Sequence, residues 1–272
     1  MRNMIKKQPV RNIMIMVLLI AILSFTIIQN QQEKLINTNV GTVNTKKIEW
    51  GIKRNDNHEQ PDVGSENRKV LEENNGIALG NSESKAIYLT FDEGYEAGYT
   101  SQILETLKEN DVKATFFLTA HYINTQEELV KQMIDEGHII GNHTVNHKSM
   151  PSLTAEEIKK EVMDLHQSVY EKFGYEMKYI RPPKGEFSEK TLQVTNSLGY
   201  KTVMWSFAYE DWNEEKQPDE EKAKEKILKN LHNGEIMLLH GNSKTNTDIL
   251  DSVIKEAKNM GYEFKSLDEF EM

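Results

Sequence analysis

From Ala86 to the C-terminus, apolar blocks of two different periods alternate along the chain. Ala86-Ile-Tyr-Leu-Thr-Phe91 is an apolar, β-branched and aromatic run that reads as a buried strand, and it ends in Asp92, Glu93 and Gly94. Thr100 can cap a helix reaching about Asn110, and residues 113–118 form a second strand. Thr125 is placed to cap a helix over 126–136, which Gly137 closes before a short strand at 138–141. Thr154-Ala-Glu-Glu157 is a capping box that opens a helix to about Phe173, with Gly174 behind it. A strand at 178–180, a helix over 189–198 and a strand at 201–207 follow. Pro218 suits the first turn of a helix reaching Leu231; a strand at 235–239, a helix over 247–260 and a strand at 262–265 complete the pattern.

Strands alternating with helices imply parallel strands and right-handed crossovers. The expected fold class is therefore α/β, an irregular (β/α) barrel. An open doubly wound sheet ranks second, because no glycine-rich phosphate loop follows the first strand.

The N-terminus differs. Arg2, Lys6, Lys7 and Arg11 precede an uninterrupted apolar run over residues 13–28, about 24 Å long as a helix. A basic flank before such a run is an export signal, and with no A-x-A-like cleavage site it reads as a retained signal anchor over 1–30 rather than a cleaved peptide. Residues 31–46 have linker composition, and 47–272 are assigned to the folded domain, its strand–helix alternation starting near 84. A short helix is expected over 69–75. The expected location is outside the cytoplasm, membrane-held and facing the wall, or secreted if the signal is cleaved.

Composition narrows the chemistry. A formal charge of −10 argues against a nucleic-acid partner. With no cysteine, any metal must be held by His, Asp or Glu, and neither a disulfide nor a lipoprotein anchor is available.

In such barrels the site lies at the carboxyl ends of the strands. Asp92 and Glu93, His143 and His147, Arg181, Asp211 and His240 each follow an apolar run at that end. Individually each has a dull explanation; five strand ends of this kind point to one functional mouth. His143-Thr-Val-Asn-His147 can bring two imidazoles to one side, a donor set that with a carboxylate suits a divalent metal such as zinc. Position 144 is Thr, so the H-E-x-x-H pattern of a zincin protease is absent. His121, His138, His166 and His232 read as structural.

In order, Thr90-Phe-Asp-Glu-Gly94, His143-Thr-Val-Asn-His147, Arg181-Pro-Pro-Lys-Gly185, Asp211-Trp212 and Leu239-His240 resemble the five motifs of the polysaccharide deacetylases, the NodB homology or carbohydrate esterase family 4. The stretches 88–96 and 181–189, with Trp50-Gly51, resemble the delta-lactam-biosynthetic branch, whose members deacetylate N-acetylmuramic acid in spore-cortex peptidoglycan. That likeness implies that residues 50–84 are folded with the barrel.

It also implies roles. Asp92 would be the general base and Arg181 its partner; His240 would be the general acid, held by Asp211; His143, His147 and Glu93 would ligate a divalent metal, expected to be Zn2+. Leu239 would pack on the acetyl methyl, and the amide after Pro183 or near Tyr95 would receive the oxyanion. Apart from the likeness, Lys184 is expected to meet an anionic part of the substrate, and Tyr209, Trp212, Tyr95 and Phe187 are placed to stack on sugar rings at the mouth. Glu93 departs from the usual Asp and Lys184 from the usual Tyr, which puts the third ligand in doubt. The implied partners are a peptidoglycan strand and the membrane, with the protein a monomer. The alternatives are a deacetylase of N-acetylglucosamine, chitin or xylan, and a wall-binding protein with little turnover.

Overall fold

The strand expected at 86–91 is the centre of the sheet, and it runs two residues further than its apolar stretch. The computed structural model describes residues 43–272, so the expected signal anchor and most of the expected linker lie outside the described residues. In chain order the strands are β1 (Ile48–Glu49), β2 (Gly76–Ile77), β3 (Ala86–Glu93), β4 (Thr115–Leu118), β5 (Ile139–Asn142), β6 (Tyr179–Ile180), β7 (Glu186–Phe187), β8 (Lys201–Val203), β9 (Glu235–His240) and β10 (Glu263–Phe264). The helices are α1 (Ser65–Glu73), α2 (Thr100–Glu109), α3 (Ala120–Thr125), α4 (Glu127–Asp135), α5 (Ala155–Phe173), α6 (Glu189–Ser197), α7 (Glu220–Asn230) and α8 (Lys244–Asn259). Among the described residues no helix is long and apolar enough to cross a membrane.

The main sheet has the order β10-β3-β4-β5-β6-β8-β2, with β9 also paired to β3, and its ladders are parallel. It is curled into a half-barrel rather than closed as a regular barrel. β8 stops at Val203, not at 207 as expected, with the Met204 N–H still bonded to the Ile77 carbonyl of β2. The chain then crosses to β9, where an isolated bridge joins Phe207 to Met237 and the Leu238 N–H reaches the Phe207 carbonyl at 2.8 Å. The mouth of the half-barrel is therefore walled at residues 204–208 by irregular chain.

Alternation along the strands fills the interior. Ala86 and Tyr88 of β3 pack with Phe117, Ile139, Tyr179, Val203 and Ile236 in one buried cluster beneath the site. Each such side chain contributes about 1.5–3 kcal/mol by leaving water. The segment before β3 belongs to the same body, as the Trp50 lead-in implies. Trp50 packs on Phe187 and donates its indole N–H to the Trp205 carbonyl at 2.9 Å, while β1 pairs antiparallel with β7.

Several expected helix starts shift. Thr154 caps α5 through a complete capping box, and Gly174 ends it in the left-handed conformation, as the sequence reads. Thr100 is the first helical residue of α2 rather than its cap; its N–H is taken by Glu96, four residues upstream. The helix expected over 126–136 is present as α4, but Thr125 does not cap it; Thr125 ends an additional short helix, α3, which Thr119 caps. Asp219 caps α7, leaving Pro218 outside it, and Ser243 starts α8 three residues early. α1 likewise starts earlier than its expected 69–75 and ends at Glu73.

Candidate active site

The interior face of β3 and β9 sets the first pair. Asp92 and His240 are register partners on these adjacent parallel strands, so both project to the same side. Asp92 Oδ1 receives Arg181 Nη1 at 2.7 Å. Arg181 is fully buried; its Nε donates to the Val203 carbonyl at 3.1 Å, and the guanidinium lies 4.3 Å from the Phe117 ring centroid. Burial alone would raise the Asp92 pKa, but Arg181, with His143 and His240 behind it, brings it below the ordinary value. Asp92 is thus kept ionised.

His240 is held in the opposite state. Its Nδ1 lies 2.7 Å from Asp211 Oδ1, and its backbone N–H donates to Asp211 Oδ2 at 2.9 Å. Burial pushes the imidazole pKa down, yet Asp211 first and Asp92 second leave it raised. Asp211 is itself fixed by Asn246 Nδ2, 2.6 Å from Oδ2, and the Tyr209 hydroxyl bonds to Asn246 Oδ1. Gln217 ties the same loop to the start of α8, donating to the Asp211 carbonyl and accepting from Ser243 and Thr245. Asn246 and Gln217 went unnoticed in the sequence; six residues past His240, Asn246 reads as one more polar helix residue.

The two imidazoles come together. His143 and His147 stand 4.8 Å apart between ring centroids, edge to face. His143 Nδ1 lies 2.8 Å from the Arg181 carbonyl oxygen; with its N–H given there, the Nε2 lone pair faces Asp92 Oδ2 at 3.6 Å. Burial lowers both pKa values, that of His147 to about 4 with the neighbouring His143 helping, so both rings are neutral. The turn between them is strained: Thr144 has φ 67° and His147 φ 53°. Thr144 N–H bonds Asn142 Oδ1 at 2.9 Å, and buried Glu161 of α5 accepts from the Asn146 backbone and side chain at 2.8 and 2.7 Å. Gly141 leaves room beneath the turn, since a Cβ there would stand 2.4 Å from Phe117.

Three expected residues are placed otherwise. Glu93 does not join the histidines. Strand alternation turns it to the outer face of β3, where it is 1 % exposed against Gly241 and neither carboxylate oxygen has a hydrogen-bond partner. Among the described residues no three His, Asp or Glu side chains stand close enough to share a metal ion. Leu239 faces outward for the same reason; Leu238, two residues before His240, lines the cleft in its place. Pro183 is buried behind the wall, which is formed by Lys184 and Gly185.

These groups open on a cleft of about 1050 Å3. Tyr95 and Trp212 stand half exposed on its rim, Trp212 edge-on to His240 at 5.6 Å. His121, read as structural, also lines it. Two neutral imidazoles fit a divalent cation as far as they go; the carboxylate beside them, Asp92 with Oδ2 3.6 Å from His143 Nε2, is engaged by Arg181 through its other oxygen.

A carboxylate with its pKa lowered beside an imidazole with its pKa raised is the equipment of a hydrolytic enzyme. Residues 79–203 match the family model for polysaccharide deacetylase. The peptidoglycan-N-acetylmuramic acid deacetylase PdaA of Bacillus subtilis is 43% identical over 228 residues, covering 84% of this chain and 87% of its own. Its structure, described as a family 4 carbohydrate esterase, superposes with a TM-score of 0.81 over 83% of this chain and 97% of that one. A peptidoglycan-N-acetylglucosamine deacetylase of Bacillus cereus is 34% identical, covering 74% of this chain and 96% of its own. A Bacillus anthracis protein described as a family 4 pseudoenzyme is similar at 27% identity and TM-score 0.67, over 72% of this chain and 68% of that one. The chain belongs to the polysaccharide deacetylase family, carbohydrate esterase family 4, and is a hydrolase. Deacetylases of this family are generally metal-dependent.

Proposed function

We propose that this chain removes the acetyl group from N-acetylmuramic acid in peptidoglycan, with a divalent metal at His143 and His147. The observation that carries the reading is the pairing of Asp92 with His240 across neighbouring strands, one held by Arg181 and the other by Asp211. A cation held by the two imidazoles, Zn2+ by the chemistry of its donors, supplies Lewis acidity to the acetamide carbonyl when bound. Asp92 takes the proton of the attacking water. The backbone N–H of Lys184, on the cleft wall, meets the oxygen as it gains charge. His240 delivers a proton to the departing amine nitrogen, and Leu238 shapes the pocket for the methyl group.

The muramic acid assignment draws support from the likeness to PdaA and from Lys184, a cation lining the cleft that suits a lactyl carboxylate. N-Acetylglucosamine is the second reading, favoured by the name of the Bacillus cereus relative. A turnover-free wall binder has a precedent in the pseudoenzyme relative, but it would have no use for an opposed acid and base. The basic flank and apolar run at the N-terminus support export and membrane anchoring over residues 1–30. The likeness of residues 88–96 and 181–189 to the delta-lactam-biosynthetic branch supports work on the cortex wall of a spore, with muramic δ-lactam as the downstream product.

Mass spectrometry of purified wall fragments incubated with the protein and Zn2+ tests this. Loss of one acetyl from the muramic residue is the expected result. Loss confined to glucosamine residues overturns the specificity, and no loss from either sugar overturns the activity.

A further inference from the structure

Trp50 lies outside the cleft and reaches no reacting atom, yet it is bonded to both pieces of backbone that form one cleft wall. Its backbone N–H donates to the Gly185 carbonyl at 2.9 Å, and its indole N–H to the Trp205 carbonyl at 2.9 Å. Its ring lies 6.1 Å from that of Phe187, which is buried and so packs here rather than against a sugar. Just upstream, Ile48 and Glu49 of β1 are register partners of Phe187 and Glu186 in β7. One short segment therefore joins the loop after β6, which brings Lys184 and Gly185 to the cleft, to the irregular chain after β8, which brings Trp205 and Ala208.

The turn held in this way is strained. Lys184 has φ 60° and ψ 9°, and Gly185 follows at φ 66°, two left-handed residues in succession. A non-glycine residue stays in that region only where its surroundings over-determine it. On one side the Gly185 N–H bonds back to the Pro182 carbonyl at 3.2 Å; on the other stands Trp50. A Cβ at Gly185 would stand 2.6 Å from the Trp205 ring and 3.3 Å from the Trp50 Cβ, so the turn rests directly on both tryptophans. Among the described residues no acceptor takes the Lys184 N–H, which leaves that donor for a ligand.

We propose that Trp50 is a positioning residue for the reaction, fixing the 183–187 turn so that the Lys184 N–H is aimed at the oxygen that gains charge. This rests on that N–H receiving the oxyanion. A donor displaced by a fraction of an ångström loses its hold on the transition state and little of its hold on the substrate. The base is anchored separately, because Arg181 Nε and Nη2 bond to the Val203 and Met204 carbonyls at 3.1 and 3.4 Å.

The test uses the full chain with Zn2+, wall fragments as substrate, and three variants. Trp50→Phe keeps a ring against Phe187 and loses the indole bond; Trp50→Leu loses the ring as well. Val63→Ala thins the same buried cluster and leaves the bonds to Gly185 and Trp205 in place. Trp50→Phe is expected to lower kcat roughly tenfold with KM within about twofold and the acidic limb of kcat/KM unmoved, and to shift the Lys184 amide resonance in 1H–15N spectra. Trp50→Leu gives the larger loss, and Val63→Ala lowers the melting temperature without either effect. Equal kcat losses in Val63→Ala and Trp50→Phe, an acidic limb that moves, an unchanged kcat, or a Lys184 resonance that stays in place each overturn the positioning role. Native protein that releases no acetate overturns the activity reading, and this role with it.

Discussion

Asp92 and Glu93 are joined by one peptide bond and face opposite sides of β3. Asp92 meets Arg181 inside the half-barrel, while Glu93 is enclosed on the outer face against Gly241. Burial raises the Glu93 pKa well above the ordinary 4.5, with Glu96 and Asp92 adding to the rise. Its carboxyl is therefore most stable neutral. Such a group contributes fully to folding below about 4.5 and loses that contribution as pH climbs toward its folded value.

The variant Glu93→Gln keeps the shape and removes the titration. Its melting temperature is expected to draw ahead of the native protein's from pH 4.5 to neutrality, with activity retained within about threefold. A ligand role for Glu93 predicts instead a loss of metal affinity of about 10- to 100-fold in a calorimetric titration, the size of effect seen when the ligand environment is broken.

Gly241 is where Glu93 makes its demand on the backbone: a Cβ there would stand 1.8 Å from Oε1. Gly241→Ala is expected to cost about 1–3 kcal/mol in urea unfolding, and Glu93→Ala to relieve much of that cost in the double variant. Additive losses would mean that the two residues do not compete for the same space.

The acid is set by Asp211. Replacing it with Asn removes the main charge holding His240 protonated, so the alkaline limb of kcat/KM should move to lower pH and kcat fall by about 10²–10⁴. Asn246→Ala leaves the charge but frees the Asp211 carboxylate from a 2.6 Å bond. We expect kcat to fall by about tenfold or more with KM nearly constant. A drop in KM-limited binding alone would place Asn246 outside the acid's support.

The strained histidine turn depends on a residue that never reaches the cleft. Glu161→Ala removes the acceptor of both Asn146 bonds, and a metal titration followed by calorimetry should show Zn2+ held about 10- to 100-fold more weakly. Treatment of the native protein with a chelator should abolish acetate release, and Zn2+ should restore it.

Arg181 is buried with its charge matched by Asp92 alone among the carboxylates hydrogen-bonded to it. Arg181→Met strands an anion in the core and is expected to cost about 3–5 kcal/mol, measured by denaturant unfolding, besides abolishing activity. The double variant Arg181→Met/Asp92→Asn separates these effects, because it removes both charges: it should lose activity with a smaller loss of stability.

The sequence by itself determined the strand–helix alternation, the caps at Thr154 and Gly174, and the assembly of Asp92, His143, His147, Arg181, Asp211 and His240, because apolar runs end where parallel strands must deliver polar groups to one mouth. It could not determine which neighbour in a short motif faces inward. Leu238 against Leu239 and Asp92 against Glu93 are settled by the phase of β9 and β3 once the sheet has curled, and one residue of phase reverses the side. Nor could it show Glu161, Asn246 and Gln217, ordinary polar residues whose role depends on contacts 6 to 35 positions away. Such partners are chosen by packing of helices onto the sheet, and only the tertiary structure brings them within hydrogen-bonding reach.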